Sequence, residues 1–124
     1  VTRRMEFEIE GPFQPYTRMT RRGKFVSKRA KKYLESQDAL SWQFKAQMQA
    51  NGWEMVPRGV PLRVEVEIVR PNRLHGRDMS NELKALEDAM NGVVYYDDRY
   101  IDESCQKRCV GDACTVRVVV ERLE

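Results

Sequence analysis

Met5, Phe7 and Ile9 alternate with Glu6, Glu8 and Glu10, the period-two pattern of a strand with one buried face. Gly11-Pro12 and Pro15 interrupt it, and the stretch from Phe13 to Gly23 reads as a loop. A short strand is expected at Lys24–Val26, with Ser27 as a candidate cap for the helix that follows. That helix is predicted over Lys28–Asn51, because Tyr33, Leu40, Phe44 and Met48 fall on one helical face and Asn51-Gly52 supplies a stop.

Pro57, Gly59 and Pro61 mark the next loop, and then Leu62, Val64, Val66 and Ile68 alternate with Arg63, Glu65 and Glu67 in the clearest strand pattern of the chain. A second helix is predicted from about Ser80 to Met90, with Leu83, Leu86 and Met90 inward and Asn91-Gly92 ending it. The last third reads as a β-hairpin: a strand at Ile101–Cys109, a turn at Val110–Ala113, and a return at Cys114–Arg122 with Val116, Val118 and Val120 on its apolar face. The expected fold class is α+β: one domain over residues 1–124, a mixed sheet with two helices packed on it, and a C-terminal hairpin.

Composition changes this picture little, since 41% hydrophobic and 33% charged residues are ordinary for a folded domain. No apolar run approaches the roughly 20 residues of a membrane span, and no secretory signal is visible. The three cysteines lack zinc or redox spacing, so reduced thiols and a cytoplasmic location are expected. Cys109 and Cys114 would face each other across the hairpin, but a reducing compartment argues against a disulfide. Trp42 and Trp53 read as core or interface residues.

Charge distribution carries more information than net charge, which is only +3. Residues 1–32 hold ten Lys/Arg against three acids, whereas residues 33–124 hold twelve against sixteen. Thr17–Lys32 has eight basic residues and no acid, which suits a polyanionic partner as well as it suits a solvated basic surface.

The chemistry concentrates in Arg77–Glu103. Asp78 falls between a strand and a helix. Asn81, Lys84 and Asp88 then share one face of that helix, beside the apolar one. Asp97-Asp98 and Asp102-Glu103 follow it. Carboxylates converging from a strand end, a helix and a loop suit a hard divalent cation such as Mg²⁺. Such an ion activates water and offsets charge on a phosphate, and a nearby lysine adds positive charge where the transition state develops negative charge. The single His75 argues against an imidazole-based site. Each residue taken alone also has a bland reading: Asp78 as a helix cap, Asp97-Asp98 as a turn, Lys84–Asp88 as a surface ion pair.

The string R-D-M-S-N-E-L-K-A-L-E-D-A-M-N-G-V-V-Y-Y-D-D, residues 77–98, resembles the signature of the RusA family of Holliday-junction resolvases. That family's pattern is D-x-D-N-x-x-K, then D-A-L-x, then a D-D pair. Asp78 matches its first aspartate, Asn81 the asparagine, Lys84 the lysine, Asp88 the helical aspartate and Asp97-Asp98 the pair. The run G-P-F-Q-P-Y-T-R-M-T-R-R-G-K-F-V is similar to the family's Gly/Pro segment and arginine-rich loop. The resemblance implies a Mg²⁺-dependent endodeoxyribonuclease (with Mn²⁺ as a possible substitute) that acts in recombination and repair. It implies a homodimer binding branched DNA and nicking a four-way junction symmetrically. It makes Asp78, Lys84 and Asp98 catalytic and Asp78, Asp98 and Asp97 metal ligands, with Ser80, Asn81 and Asp88 in support.

One position departs from the pattern. Ser80 stands where the family has its second aspartate, and a hydroxyl is a neutral, weaker ligand. Asp97, Asp88 or Asp102 are candidates to compensate; the alternatives are a junction-binding protein with little nuclease activity, or a residue changed by design to trap an inactive form. Under the resemblance Arg18, Arg21, Arg22 and Lys24 become candidate phosphate contacts, and Phe13, Tyr16 and Phe25 candidates to stack on unpaired bases.

Overall fold

The computed structural model describes residues 2–16, 28–71 and 79–124, the side chain of Arg29 excepted. Its elements run β1 (Arg4–Glu10), α1 (Lys28–Asn51), β2 (Leu62–Arg70), α2 (Met79–Met90), a single 3₁₀ turn (Asp98–Tyr100), β3 (Ile101–Val110) and β4 (Thr115–Arg122). The expected strand at Lys24–Val26 and the cap at Ser27 lie outside the described residues.

The strands form one sheet in the order β1-β4-β2-β3, with β4 antiparallel to both β1 and β2 and β3 parallel to β2. The mixed sheet and its two helices agree with the α+β expectation. The pairing at the C-terminus differs from a simple hairpin. β3 and β4 are consecutive strands joined by a short turn, but β2 is inserted between them. Cys109 therefore aligns with Val69 of β2, not with Cys114, and all three cysteines are free. The physical reason is that β2 is apolar on its inner face and needs a neighbour on each side. β4, with its buried valines, takes one side and β3 the other.

The turn crosses the end of β2 closely. Gly111 N–H donates to the Arg70 carbonyl at 2.9 Å. A Cβ on Gly111 would stand 2.6 Å from Cγ1 of Val69, so only glycine fits without displacing a stiff β-branched side chain.

The alternation read from the sequence sets the core. Phe7, Ile9, Leu62, Val64, Ile68, Val116, Val118 and Val120 bury one sheet face against Leu40 and Phe44 of α1 and Leu86 and Met90 of α2. The rings of Phe7 and Phe44 meet edge to face at 5.2 Å. Helix α1 ends where Gly52 takes φ +68°, and Trp53 N–H donates to the Met48 carbonyl at 3.0 Å, a Schellman closure. Gly92, at φ +73°, also takes a left-handed conformation after α2, and its N–H donates to the Tyr95 carbonyl at 2.8 Å. Trp53 is core and its indole donates to the Val94 carbonyl at 3.1 Å, whereas Trp42 is 71% exposed and belongs to no core. Among the described residues no helix is long and apolar enough to cross a membrane.

Candidate active site

Helix α2 lies with Glu82, Ala85, Leu86, Ala89 and Met90 buried, which turns Ser80, Asn81 and Lys84 to solvent and leaves Glu87 and Asp88 half-buried at the margin. The polar face expected from spacing therefore exists. Leu83, expected inward, is only partly buried. The fully buried Glu82 takes the inward position nearest the start of the helix.

Helix α1 reaches the site through Tyr33. Its ring is in the core, and its hydroxyl donates to Oδ2 of Asp88 at 3.0 Å. Burial, then the charge of Asp88, raises the Tyr33 pKa, so this hydroxyl remains a donor. Tyr16 closes the other side. Its N–H donates to the Asn81 carbonyl at 2.9 Å, its ring meets Tyr33 edge to face at 5.9 Å, and Nζ of Lys84 lies 4.7 Å from its centroid. Lys84 is thus steered by an aromatic face, and no ion pair with Asp88 occurs among the described contacts.

Asp98 arrives from the loop after α2. Its backbone N–H donates to Oδ1 of Asn91 at 2.8 Å, which fixes it to the end of the helix that carries Lys84 and Asp88. Burial, then a hydrogen bond with the Asp97 carboxylate, raises the Asp98 pKa, and the charge of Asp88 acts in the same direction. Asp97 is used differently: it caps the 3₁₀ turn by accepting from Arg99 N–H at 3.0 Å and pairs with the Arg99 guanidinium at 3.1 Å. The Arg99 N–H is also the main reason its pKa is lowered.

Residues 11–121 match the family model described as Endodeoxyribonuclease RusA. The chain belongs to the RusA endodeoxyribonuclease family. Comparison with curated proteins gave no match. Membership makes this an enzyme fold for hydrolysing DNA, and the signature residues of this RusA-family chain can be placed one by one. Ser80 and Asn81 lie on the exposed first turn of α2, Lys84 stands mid-helix, Asp88 lies in the last turn, and Asp97 and Asp98 follow in the loop beyond it, where Asp98 is tied to Asn91. Asp102 is exposed at the start of β3. Asp78, Arg18, Arg21, Arg22, Lys24, Phe25 and His75 lie outside the described residues.

Among the described residues no three His, Cys, Asp or Glu side chains are grouped to hold a metal ion. What they contribute is oxygen donors, Asp88 and Asp98, with neither thiolate nor imidazole beside them. That donor chemistry fits a hard cation such as Mg²⁺. Two of the sequence expectations change. Phe13, a candidate for base stacking, is buried in the core under the Arg70 guanidinium, 5.8 Å from its centroid. Tyr16 packs against the core edge instead of standing free.

The structure adds residues that the motif did not name. Glu87 is half-buried; burial, then Asp98 and Asp88, raises its pKa. Its spacing of seven from Ser80 and three from Lys84 was the available signal. Tyr95 is fully buried, and its hydroxyl has no hydrogen-bond partner among the described residues. Its pKa is raised by burial, then by Glu87 and Asp98. Tyr33 was read as core from the helical stripe, and a period cannot reveal that its polar tip reaches Asp88.

Proposed function

We propose that this RusA-family chain is a Mg²⁺-dependent endonuclease that resolves four-way DNA junctions by paired nicks, as a homodimer. The observation that carries the reading is the tie between Asp98 and Asn91. It brings a carboxylate from beyond α2 back to the C-terminal end of that helix, whose last turn bears Asp88 and whose middle bears Lys84, two residues of the same signature. Asp78 completes the ligand set with Asp98 and Asp88, and Asp97 acts as the cap that orients Asp98. When bound, the cation supplies Lewis acidity toward the scissile phosphate and an activated water.

The chain's own residues do the rest. Lys84, exposed and steered by Tyr16, places positive charge where the phosphorane oxygens and leaving alkoxide gain negative charge. Tyr33 holds Asp88 in one rotamer by donating to it. The basic stretch supplies phosphate contacts that carry no sequence information, as a structure-selective enzyme requires. A second reading, a junction binder with little cleavage, is favoured by Ser80 alone, since the signature has a carboxylate there.

The test is a labelled four-way junction incubated with and without Mg²⁺. Cleavage that requires the ion, and that Asp98→Asn lowers by at least 100-fold (about 2.7 kcal/mol) while binding persists, supports the nuclease. Tight binding without cleavage at any Mg²⁺ or Mn²⁺ concentration supports the binder.

A further inference from the structure

The sheet has two edges, and the chain treats them differently. On β1, the side-chain amides of α1 stand where another strand would be. Gln47 accepts from Glu8 N–H at 2.9 Å and donates to the Glu8 carbonyl at 2.6 Å. Gln43 does the same at Glu10, at 2.9 and 3.2 Å. On β3, among the described residues, β2 is the only strand partner, and every residue from Asp102 to Val110 is exposed, with Arg108 also approaching Glu82 of α2 at 3.8 Å. A solvent-exposed edge of this length, with no second strand on it among the described residues, invites another strand.

The side chains of β3 indicate which strand. Register with Arg63, Glu65 and Glu67 places Glu103, Cys105 and Lys107 on the open face of the sheet. A two-fold axis through Cys105 in an antiparallel pair sets Glu103 opposite Lys107 of the second copy. It also sets Asp102 opposite Arg108, Ser104 opposite Gln106 and Cys105 opposite itself. Each acid meets a base, and the symmetry repeats each pair. Other registers lose this. A two-fold through Glu103 or through Lys107 puts like charges face to face, and parallel pairing puts every residue on its own copy. Lys107 already pairs with Glu67 at 2.9 Å while remaining 63% exposed, so its ammonium lies where both acids can share it.

We propose that β3 is the homodimer interface, with two copies joining their β3 strands antiparallel about Cys105 into one continuous sheet. The proposal rests on the two-fold assembly of the functional reading above and names the surface that forms it. Because Asp98 stands just before β3, the two catalytic ends fall at opposite ends of the paired strands. One Ile101 then lies roughly 26 Å from the other, at about 3.3 Å of rise per residue.

The experiment uses the full chain. Opposed residues of an antiparallel pair have Cα atoms about 4.5–5.5 Å apart, within the range a disulfide spans. Diamide, which takes the two thiol hydrogens, should give a covalent dimer that Cys105→Ser abolishes and Cys109→Ser does not. Sedimentation equilibrium should show Glu103→Lys and Lys107→Glu each weakening the dimer at least ten-fold. The double reversal, which restores opposite charges, should recover it, and that recovery cannot come from misfolding. A dimer unmoved by either reversal, or one cross-linked through Cys109 or Cys114, overturns the interface and leaves the two-fold assembly standing. A monomer at tens of micromolar overturns both, while Mg²⁺-dependent cleavage remains a separate measurement.

Discussion

The side-chain amide of Gln47 makes two hydrogen bonds to the backbone of Glu8, one donated and one accepted. With Gln43 at Glu10 it converts one sheet edge into a closed seam between β1 and α1. Each such bond contributes about 0.5–1.5 kcal/mol net. Gln43→Leu/Gln47→Leu, which removes four such bonds, should therefore destabilise the fold by about 2–6 kcal/mol and leave the β1 edge open. Urea denaturation checks the first expectation, and light scattering of the folded variant checks the second. An unchanged midpoint would mean that water replaces the glutamines without loss.

Glu82 and Arg70 form an ion pair inside the fold, with side chains 0% and 7% exposed. Arg108 of β3 approaches the other Glu82 oxygen at 3.8 Å. The pair joins the start of α2 to the end of β2, so it holds the helix that presents Lys84 and Asp88. Removing one partner strands a buried charge, at a cost of about 3–5 kcal/mol. Arg70→Met alone should lower stability by that amount. Arg70→Met/Glu82→Leu should recover most of it, because no charge is left unpaired. Denaturation of both variants decides the matter: equal losses would show that the pair does not act as a unit.

Periodicity made both helices and the strands β1, β2 and β4 legible, because each buries one face and the alternation records which. β3 was legible only as a segment. Its side chains are exposed on both faces, so its pattern carries no information about its neighbour. Adjacency in sequence pointed to β4, whereas the sheet places β2 there. The site divides the same way. Lys84, Asp88 and Asp98 follow from the signature, but Asn91 and Tyr33, which fix two of them, act through contacts seven and fifty-five residues distant. Glu82 was hidden for another reason: a carboxylate in a helix reads as solvent-facing until its arginine is seen.

Under the proposed function, the basic stretch is expected to bear on binding more than on turnover. Each phosphate neutralised on duplex DNA steepens the fall of log K with log salt by about 0.9. Arg21→Ala/Arg22→Ala should weaken junction binding and reduce the slope by about 1–2, while a bound junction is still cleaved. Fluorescence anisotropy between 50 and 200 mM salt, a range chosen for counterion release, measures both quantities. Unchanged affinity and slope would remove this segment from the DNA interface.

Ser80 stands where the signature read from the sequence expects an aspartate, and it lies on the exposed first turn of α2, one turn before Lys84. If the cation is held by Asp78, Asp98 and Asp88, the site carries one anionic ligand fewer than the signature provides. Its affinity for Mg²⁺ is then low, since a hard cation is bound in proportion to the anionic oxygens around it. Cleavage should need a higher Mg²⁺ concentration, and Mn²⁺, which binds the same donors more tightly, should support it better. Ser80→Asp should shift the Mg²⁺ requirement down by about ten-fold, equivalent to about 1.4 kcal/mol of binding. Lys84→Ala should leave that requirement in place and lower kcat by about 100-fold, as expected of a charge that acts on the transition state. Metal titrations of junction cleavage for the three proteins separate these effects. A Ser80→Asp variant with the unaltered metal requirement would show that the hydroxyl position faces away from the cation and that the ligand set closes without it.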